Sequence, residues 1–480
     1  MTQLESANTS EPRPRRTGLA AALVAMLTTG LVGGISFAHA PLLEATGLRE
    51  PLALPPAAST LFPAPPSTTP VASAVVSPPP LAAPDATLAP ATLAQRLTAV
   101  PRKFNGASAS LVLDSGSGGV LYANNPAAMM IPASNMKTLT MLGALASMPG
   151  DHVLSTTVTS PAAGVIVLTG GGDPYLRSIP DPQQPGVAST AELARLTARA
   201  LRASGRTSVT LGFDQSLFAG PDWAPTWPAG YASQVTRISA LMVDGGRTRN
   251  ADGTITNSAR AQAPAAAAAA VFAAQLKAEG IAVTGNITPR ASGGAELASV
   301  DSLPLEQVVT IAMVASDNTA TEMILRHLAL SRHAEASFAG GTRALQQVLT
   351  ELKVWRQGAQ VHDGSGLSRS NLVNAEMLAA AWRTIATTER LRGLLTATPV
   401  ARVSGTLRDR FLIDESAGGR GRVHAKTGTL SEVSSLSGWT VTASGQSVII
   451  VFIVNQSKDD WWARAWIDTA AAVVSECGCP

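Results

Sequence analysis

Pro132-Ala133-Ser134-Asn135-Met136-Lys137 leads into the apolar stretch Thr138-Leu139-Thr140-Met141-Leu142, and its reading decides the fold. Proline before and apolar residues after mark the start of a helix, expected over 134–146. Ser134 and Lys137, three positions apart, then share one helix face. A serine hydroxyl is a weak nucleophile until a neighbour takes its proton. A lysine can take it where burial and nearby cations keep the amine neutral. Serine and lysine one turn apart are also common on plain surface helices, so the tetrapeptide alone carries little. Composition sharpens it: of Lys103, Lys137, Lys277, Lys353, Lys426 and Lys458, only Lys137 has a serine three positions before it.

Two further patterns stand downstream. Ser316-Asp317-Asn318 lies between helical patterns expected over 305–314 and 319–330, where Ser, Asp and Asn also serve as plain helix caps. Lys426-Thr427-Gly428-Thr429 follows His424-Ala425 in an expected strand. Glycine inside a strand suits close approach by another backbone, and Lys with Thr beside it can hold a carboxylate while the strand edge pairs with an extended peptide. The plain alternative is an exposed edge guarded by lysine. Together, S-x-x-K, S-D-N and K-T-G form the signature of penicillin-binding proteins and class A β-lactamases. Helix start, inter-helix loop and strand are the contexts that signature needs.

Around these motifs the pattern reads as α+β. Strands are expected over 108–114, 120–123, 422–429, 435–441 and 447–454, with a closing helix over 460–475 that includes Trp461 and Trp462 in its core. Strands at both ends and helices between them suggest one domain closed by its termini, formed by 93–153 and 301–480. The segment 154–300 differs: it carries Gly170-Gly171-Gly172-Asp173-Pro174, Trp-Pro elements and an Ala-rich helix from Pro264 to Gly280. It reads as a large inserted accessory domain. Without a following G-K-[ST], the 170–174 stretch is no phosphate loop.

The 480 residues fit about three domains at ~150 residues each. Charged residues are 14 % and net charge is +3, with no Lys/Arg stripe, so nucleic acid is excluded as a partner. Arg13, Arg15 and Arg16 end a cytoplasmic N-terminus, 1–16, and precede an uncharged apolar run over 17–40, a signal peptide or membrane anchor. Pro41 after the small-x-small Ala38-His39-Ala40 favours retention, with the bulk of the chain exported to the cell wall. Residues 41–92 are rich in Pro and Ala and read as an extended linker. Cys477 and Cys479 are the chain's cysteines, a tail pair that builds neither a disulfide framework nor a zinc site. His39, His152, His327, His333, His362 and His424 form no H-E-x-x-H pair, and no metal or organic cofactor is expected.

From Leu93 to the C-terminus the chain resembles the penicillin-binding D-alanyl-D-alanine carboxypeptidases, in the branch that includes DD-endopeptidases. Leu168 to Pro174, Asp363-Gly364-Ser365-Gly366-Leu367-Ser368, Gly405-Thr406-Leu407 and Ser434 to Gly438 carry it beyond the triplet, as does the long gap between Ser134 and Ser316. The resemblance implies a serine β-lactamase/transpeptidase-like domain, peptidoglycan stem peptides as substrate and β-lactams as covalent inhibitors. It makes Ser134 the nucleophile, Lys137 its base, Ser316 the proton relay and Asn318 the residue that orients Lys137. Lys426, Thr427, Gly428 and Thr429 would bind the substrate carboxylate, and the N–H groups of Ser134 and Thr429 would form the oxyanion hole. Residues 363–368 read as a Gly-rich turn bordering the cleft, outside the catalytic set. A serine β-lactamase is the first alternative, though no E-x-x-L-N-like segment follows Ser316; a non-catalytic wall-binding scaffold is the second.

Overall fold

The computed structural model describes residues 88–250 and 254–478. The expected cytoplasmic segment, the anchor over 17–40, most of the linker and Cys479 lie outside the described residues.

The strand Ser447–Asn455 organises the main sheet. Its run from Val448 to Val454 is apolar without a break because both faces are covered. Ile449, Val451 and Ile453 belong to a core shared with helices Met136–Ser147 and Ala375–Thr387. Val448, Ile450, Phe452 and Val454 alternate to the other face and pack with Ala463, Ile467 and Ala470 of helix Asp460–Glu476. Leu93 and Leu97 of helix Pro90–Thr98 join that second core; proline at its start overlaps the last residues of the expected linker. The sheet order is His424–Leu430, Val433–Val441, Ser447–Asn455, Ala107–Asp114, Val120–Asn124, antiparallel throughout. Ala107 pairs with Asn455 and Asp114 with Val448, so the first folded strand lies beside one close to the chain's end. This is the expected α+β architecture of an antiparallel sheet flanked by helices.

Between these parts, a second sheet runs in the order Ala295–Asp301, Ser155–Ala162, Val165–Thr169, Ser208–Asp214, Ala282–Val283. Val165–Thr169 and Ser208–Asp214 are parallel, and helix Thr190–Ala203 makes the crossover that parallel neighbours require. Val158, Ile166, Leu193, Leu201 and Phe272 form a core here that is separate from the two above. A strap over 221–246 crosses from this sheet to the helices: Trp227, Val235, Ile238 and Met242 pack with Met323 and Phe338, on helices Asn318–Ser331 and Phe338–Glu351, and with Leu367.

Trp461 and Trp462 are not core residues, contrary to the expectation. Trp461 is 47 % exposed, and Lys103 Nζ stands 4.3 Å over the ring of Trp462. The buried stripe of that helix runs through Ala463, Trp466, Ile467 and Ala470, so the tryptophan that packs is Trp466. Among the described residues, no helix is long and apolar enough to cross a membrane.

Trp382 ties the central helices to the main sheet: it is fully buried, and its indole N–H donates to Ser437 Oγ at 2.8 Å. Trp382→Ala is expected to cost about 3–5 kcal/mol of stability in denaturant unfolding, since it empties a core site and removes a donor.

Candidate active site

The turn that carries Ser134 is held from three sides. Ala133 adopts φ +47°, a left-handed backbone, and leads through a 3₁₀ turn (Ala133–Asn135) into helix Met136–Ser147. From the sheet, a chain of hydrogen bonds reaches it in which every hydroxyl both accepts and donates. Trp382 Nε1 donates to Ser437 Oγ at 2.8 Å, and Ser437 Oγ to Asn135 Oδ1 at 2.5 Å. Asn135 Nδ2 then donates to Ser435 Oγ, and Ser435 Oγ to the Pro132 carbonyl, each at 2.7 Å. A Cβ at Gly428 would stand 2.6 Å from Pro132 O and 2.2 Å from Ser435 Oγ, so glycine alone lets the edge strand come this close. On the third side, a Cβ at Gly366 would stand 1.8 Å from Ala133 O.

Lys137 sits at the centre, with no exposed surface. Its Nζ donates to Asn318 Oδ1 and to the Ser365 carbonyl, both at 2.7 Å, and lies 3.1 Å from Ser134 Oγ. Burial pulls its amine down to about 8, against the carboxylates of Glu322, Asp363 and Asp317, which favour the charged form. Lys426, also fully buried, donates to Ser316 Oγ and to the Thr427 carbonyl at 2.8 Å each. Burial and then the nearby Lys137 charge hold its amine well below the ordinary lysine range.

The Ser-Asp-Asn tripeptide does both things its sequence allows. Ser316 ends helix Leu305–Ala315 with φ +55°, and Asp317 caps helix Asn318–Ser331 by accepting the Ala320 N–H at 3.0 Å. That local geometry frees Ser316 for Lys426 and Asn318 for Lys137, while Asn318 Nδ2 donates to the Gln234 carbonyl of the strap at 3.0 Å. Thus Ser134, Lys137, Ser316, Asn318 and Lys426 come together. Gly428 abuts the Ser134 turn, Thr427 is buried with its hydroxyl 2.7 Å from that of Thr406, and Thr429 lies exposed on the same strand.

Several residues beside the site carried no individual sequence signal. Glu322 accepts the N–H groups of Gly364 and Ser365, and Asp363 accepts those of Gly366 and Ser368 together with Trp227 Nε1. Residues 363–368 therefore do more than border the cleft: they supply a carbonyl to Lys137. The 170–174 stretch rests on His327, whose Nε2 lies 3.2 Å from Gly172 O, and burial pushes the Asp173 carboxyl up to about 7. Among the described residues, no group of three or more His, Cys, Asp or Glu could hold a metal ion.

The model of the D-Ala-D-Ala carboxypeptidase 3 (S13) family matches residues 89–252 and 250–475. The chain belongs to this family. Among curated S13-like relatives, Carboxypeptidase Rv3627c of Mycobacterium tuberculosis is 34 % identical over 382 residues, 78 % of this chain and 81 % of that protein. Carboxypeptidase DacB of Mycolicibacterium smegmatis is 33 % identical over 437 residues, 88 % of this chain and 91 % of that protein. The fold matches crystalline penicillin binding protein 4 of Haemophilus influenzae with a TM-score of 0.65 at 20 % identity, over 80 % of this chain and 98 % of that one. That protein has also been solved in complex with a β-lactam.

Gly428→Ala would push the edge strand off the Ser134 turn. The expected outcome is folded protein whose labelling by fluorescent penicillin slows by about a hundredfold, the scale of a roughly 1 Å misplacement. Labelling at the wild-type rate would show that the close approach is not needed.

Proposed function

We propose that this chain is a serine-type D-Ala-D-Ala carboxypeptidase that trims peptidoglycan stem peptides through an acyl-enzyme on Ser134. The arrangement of Lys137 carries the reading. A neutral amine has two hydrogens and one lone pair. The acceptors Asn318 Oδ1 and Ser365 O, both at 2.7 Å, use the hydrogens, which leaves the lone pair for the Ser134 hydroxyl at 3.1 Å. Asn318 is fixed in that orientation because its other terminus donates to the Gln234 carbonyl.

Ser134 Oγ attacks the carbonyl carbon between the two D-alanines as its proton passes to Lys137. The N–H groups of Ser134 and Thr429 take the oxyanion. Ser316, joined to Lys426, relays a proton to the departing amine, the C–N bond breaks, and D-alanine leaves. Water then attacks the ester, releasing the shortened peptide and restoring the Ser134 hydroxyl. Lys426, Thr427 and Thr429 hold the terminal carboxylate in this scheme, with Gly428 giving the strand its approach. β-Lactams enter by the same first step and stay attached, so slow rather than rapid turnover of nitrocefin is expected.

The same reading divides the chain into a catalytic domain, 93–153 with 301–480, and an accessory insertion over 154–300; the separate sheet and core of the insertion support it. It places the enzyme outside the cytoplasm, at the cell wall, exported by the 17–40 segment and membrane-attached if that segment is kept. Cys477 is disulfide-bonded, a state that suits an oxidising compartment.

Ser134→Ala is expected to abolish the covalent penicillin adduct, read by intact-protein mass spectrometry, while thermal unfolding stays near wild type. Retained labelling would refute the nucleophile. Release of D-alanine from monomeric muropeptides reads carboxypeptidase action, and conversion of cross-linked muropeptides to monomers reads endopeptidase action.

The pH dependence follows from the base. Below about 8 the Lys137 amine is protonated and takes no proton from Ser134; above it the neutral amine is competent. Acylation is therefore expected to rise with pH through about 8, and a flat profile across that value would remove Lys137 as the base.

A further inference from the structure

No step above uses Glu322. It lies four residues after Asn318 on the same face of its helix and is fully buried. Both of its oxygens accept the Gly364 N–H at 3.1 Å, and Oε1 accepts the Ser365 N–H at 2.7 Å. The carbonyl of that same Ser365 is the one that takes Lys137 Nζ at 2.7 Å. One buried carboxylate thus holds the turn that holds the base.

The turn has little room to move by itself. Thr140 Oγ1 donates to Gly364 O at 2.8 Å, and Asp363 binds the far end through the N–H groups of Gly366 and Ser368 at 2.8 and 2.6 Å. A side chain at Gly366 would strike the Ala133 carbonyl at 1.8 Å, so the turn and the nucleophile turn are in register by contact. Removing the carboxylate would strip two buried N–H groups of their acceptor, and such groups find other partners by moving.

Charge points the same way. The charged groups facing Lys137 are Glu322 and Asp317 from the helix Asn318–Ser331, Asp363 from the turn and Lys426 from the edge strand. Arg326, one turn further along the helix, faces Glu322. Glu322 leads the carboxylates that keep Lys137 from falling below about 8. Burial, followed by the charge of Asp363, pushes the Glu322 carboxyl up, while the Ser365 and Gly364 hydrogen bonds and Arg326 favour its charged form.

We propose that Glu322 is a positioning residue for acylation: it fixes the 363–368 turn so that the Ser365 carbonyl orients the Lys137 amine, and its charge sets the pH at which that amine becomes a base. The inference rests on Lys137 serving Ser134 as proposed above.

The test is the rate of β-lactam acylation against pH for the full chain, Glu322→Gln and Glu322→Asp, with thermal unfolding run alongside. Gln keeps the size and one acceptor but not the charge: the rising limb should move to lower pH by about one unit, and the plateau should fall. Asp keeps the charge but falls one methylene short: the limb should stay and the plateau drop by roughly tenfold to a hundredfold. Folded Gln variant with limb and plateau unchanged would overturn the proposal, whatever its thermal stability. Should Gln fail to fold, an Asp variant with the wild-type plateau overturns it alone. Wild-type protein that takes no adduct at Ser134 would instead remove the reading on which the inference stands.

Discussion

Taking an amine out of water is costly while it carries a charge, and Lys137 has been taken out completely. Among the described residues it belongs to no ion pair, although acidic groups surround it at one remove. It therefore depends on oxygens that carry no full charge: an amide, a peptide carbonyl and a hydroxyl. Each belongs to a different part of the chain, so the position of Lys137 obliges the helix start, the inter-helix loop and the Gly-rich turn to meet at one point. A carboxylate in direct contact would have been the simpler partner for stability, but it would keep the proton on the amine. The acidic groups stand behind the turn and the cap instead, where they moderate the amine without capturing it.

The sheet enters the site through hydroxyls. Ser435 and Ser437 are fully buried on the strand Val433–Val441, and each would be an expensive buried polar group if left alone. They are satisfied only as members of the run from Trp382 to the Pro132 carbonyl. Since each member has a single arrangement that satisfies it, the run fixes Asn135, and with it the residue just before, Ser134. Core packing on one side of Trp382 is thereby converted into placement of Ser134 on the other.

What could be read in the sequence was what local physics writes there. Alternating apolar residues, capping residues and proline marked the strands and helices, and the spacing of Ser134 and Lys137 put them on one face. Ser316 to Asn318 and Lys426 to Thr429 were legible because their local contexts, a helix junction and a strand, matched their chemistry. Glu322 was hidden because its significance depends on a turn some forty residues later, which no local window contains. The strap over 221–246 was hidden for the same reason: Gln234 and Trp227 touch Asn318 and Asp363 only once the insertion has folded back. Trp461 misled by its size, since a large aromatic ring counts as core only when it falls on the buried stripe.

The pairing of Ala107 with Asn455 has a bearing on how the molecule comes into being. That strand has a near neighbour in Val120–Asn124, but its second neighbour comes only when nearly the whole polypeptide has emerged, and closing so long a loop is entropically slow. The second sheet closes over shorter separations than this, its longest pairing joining Asp301 to Ser155. The main sheet is therefore joined across its middle only by a meeting of the two ends of the folded chain.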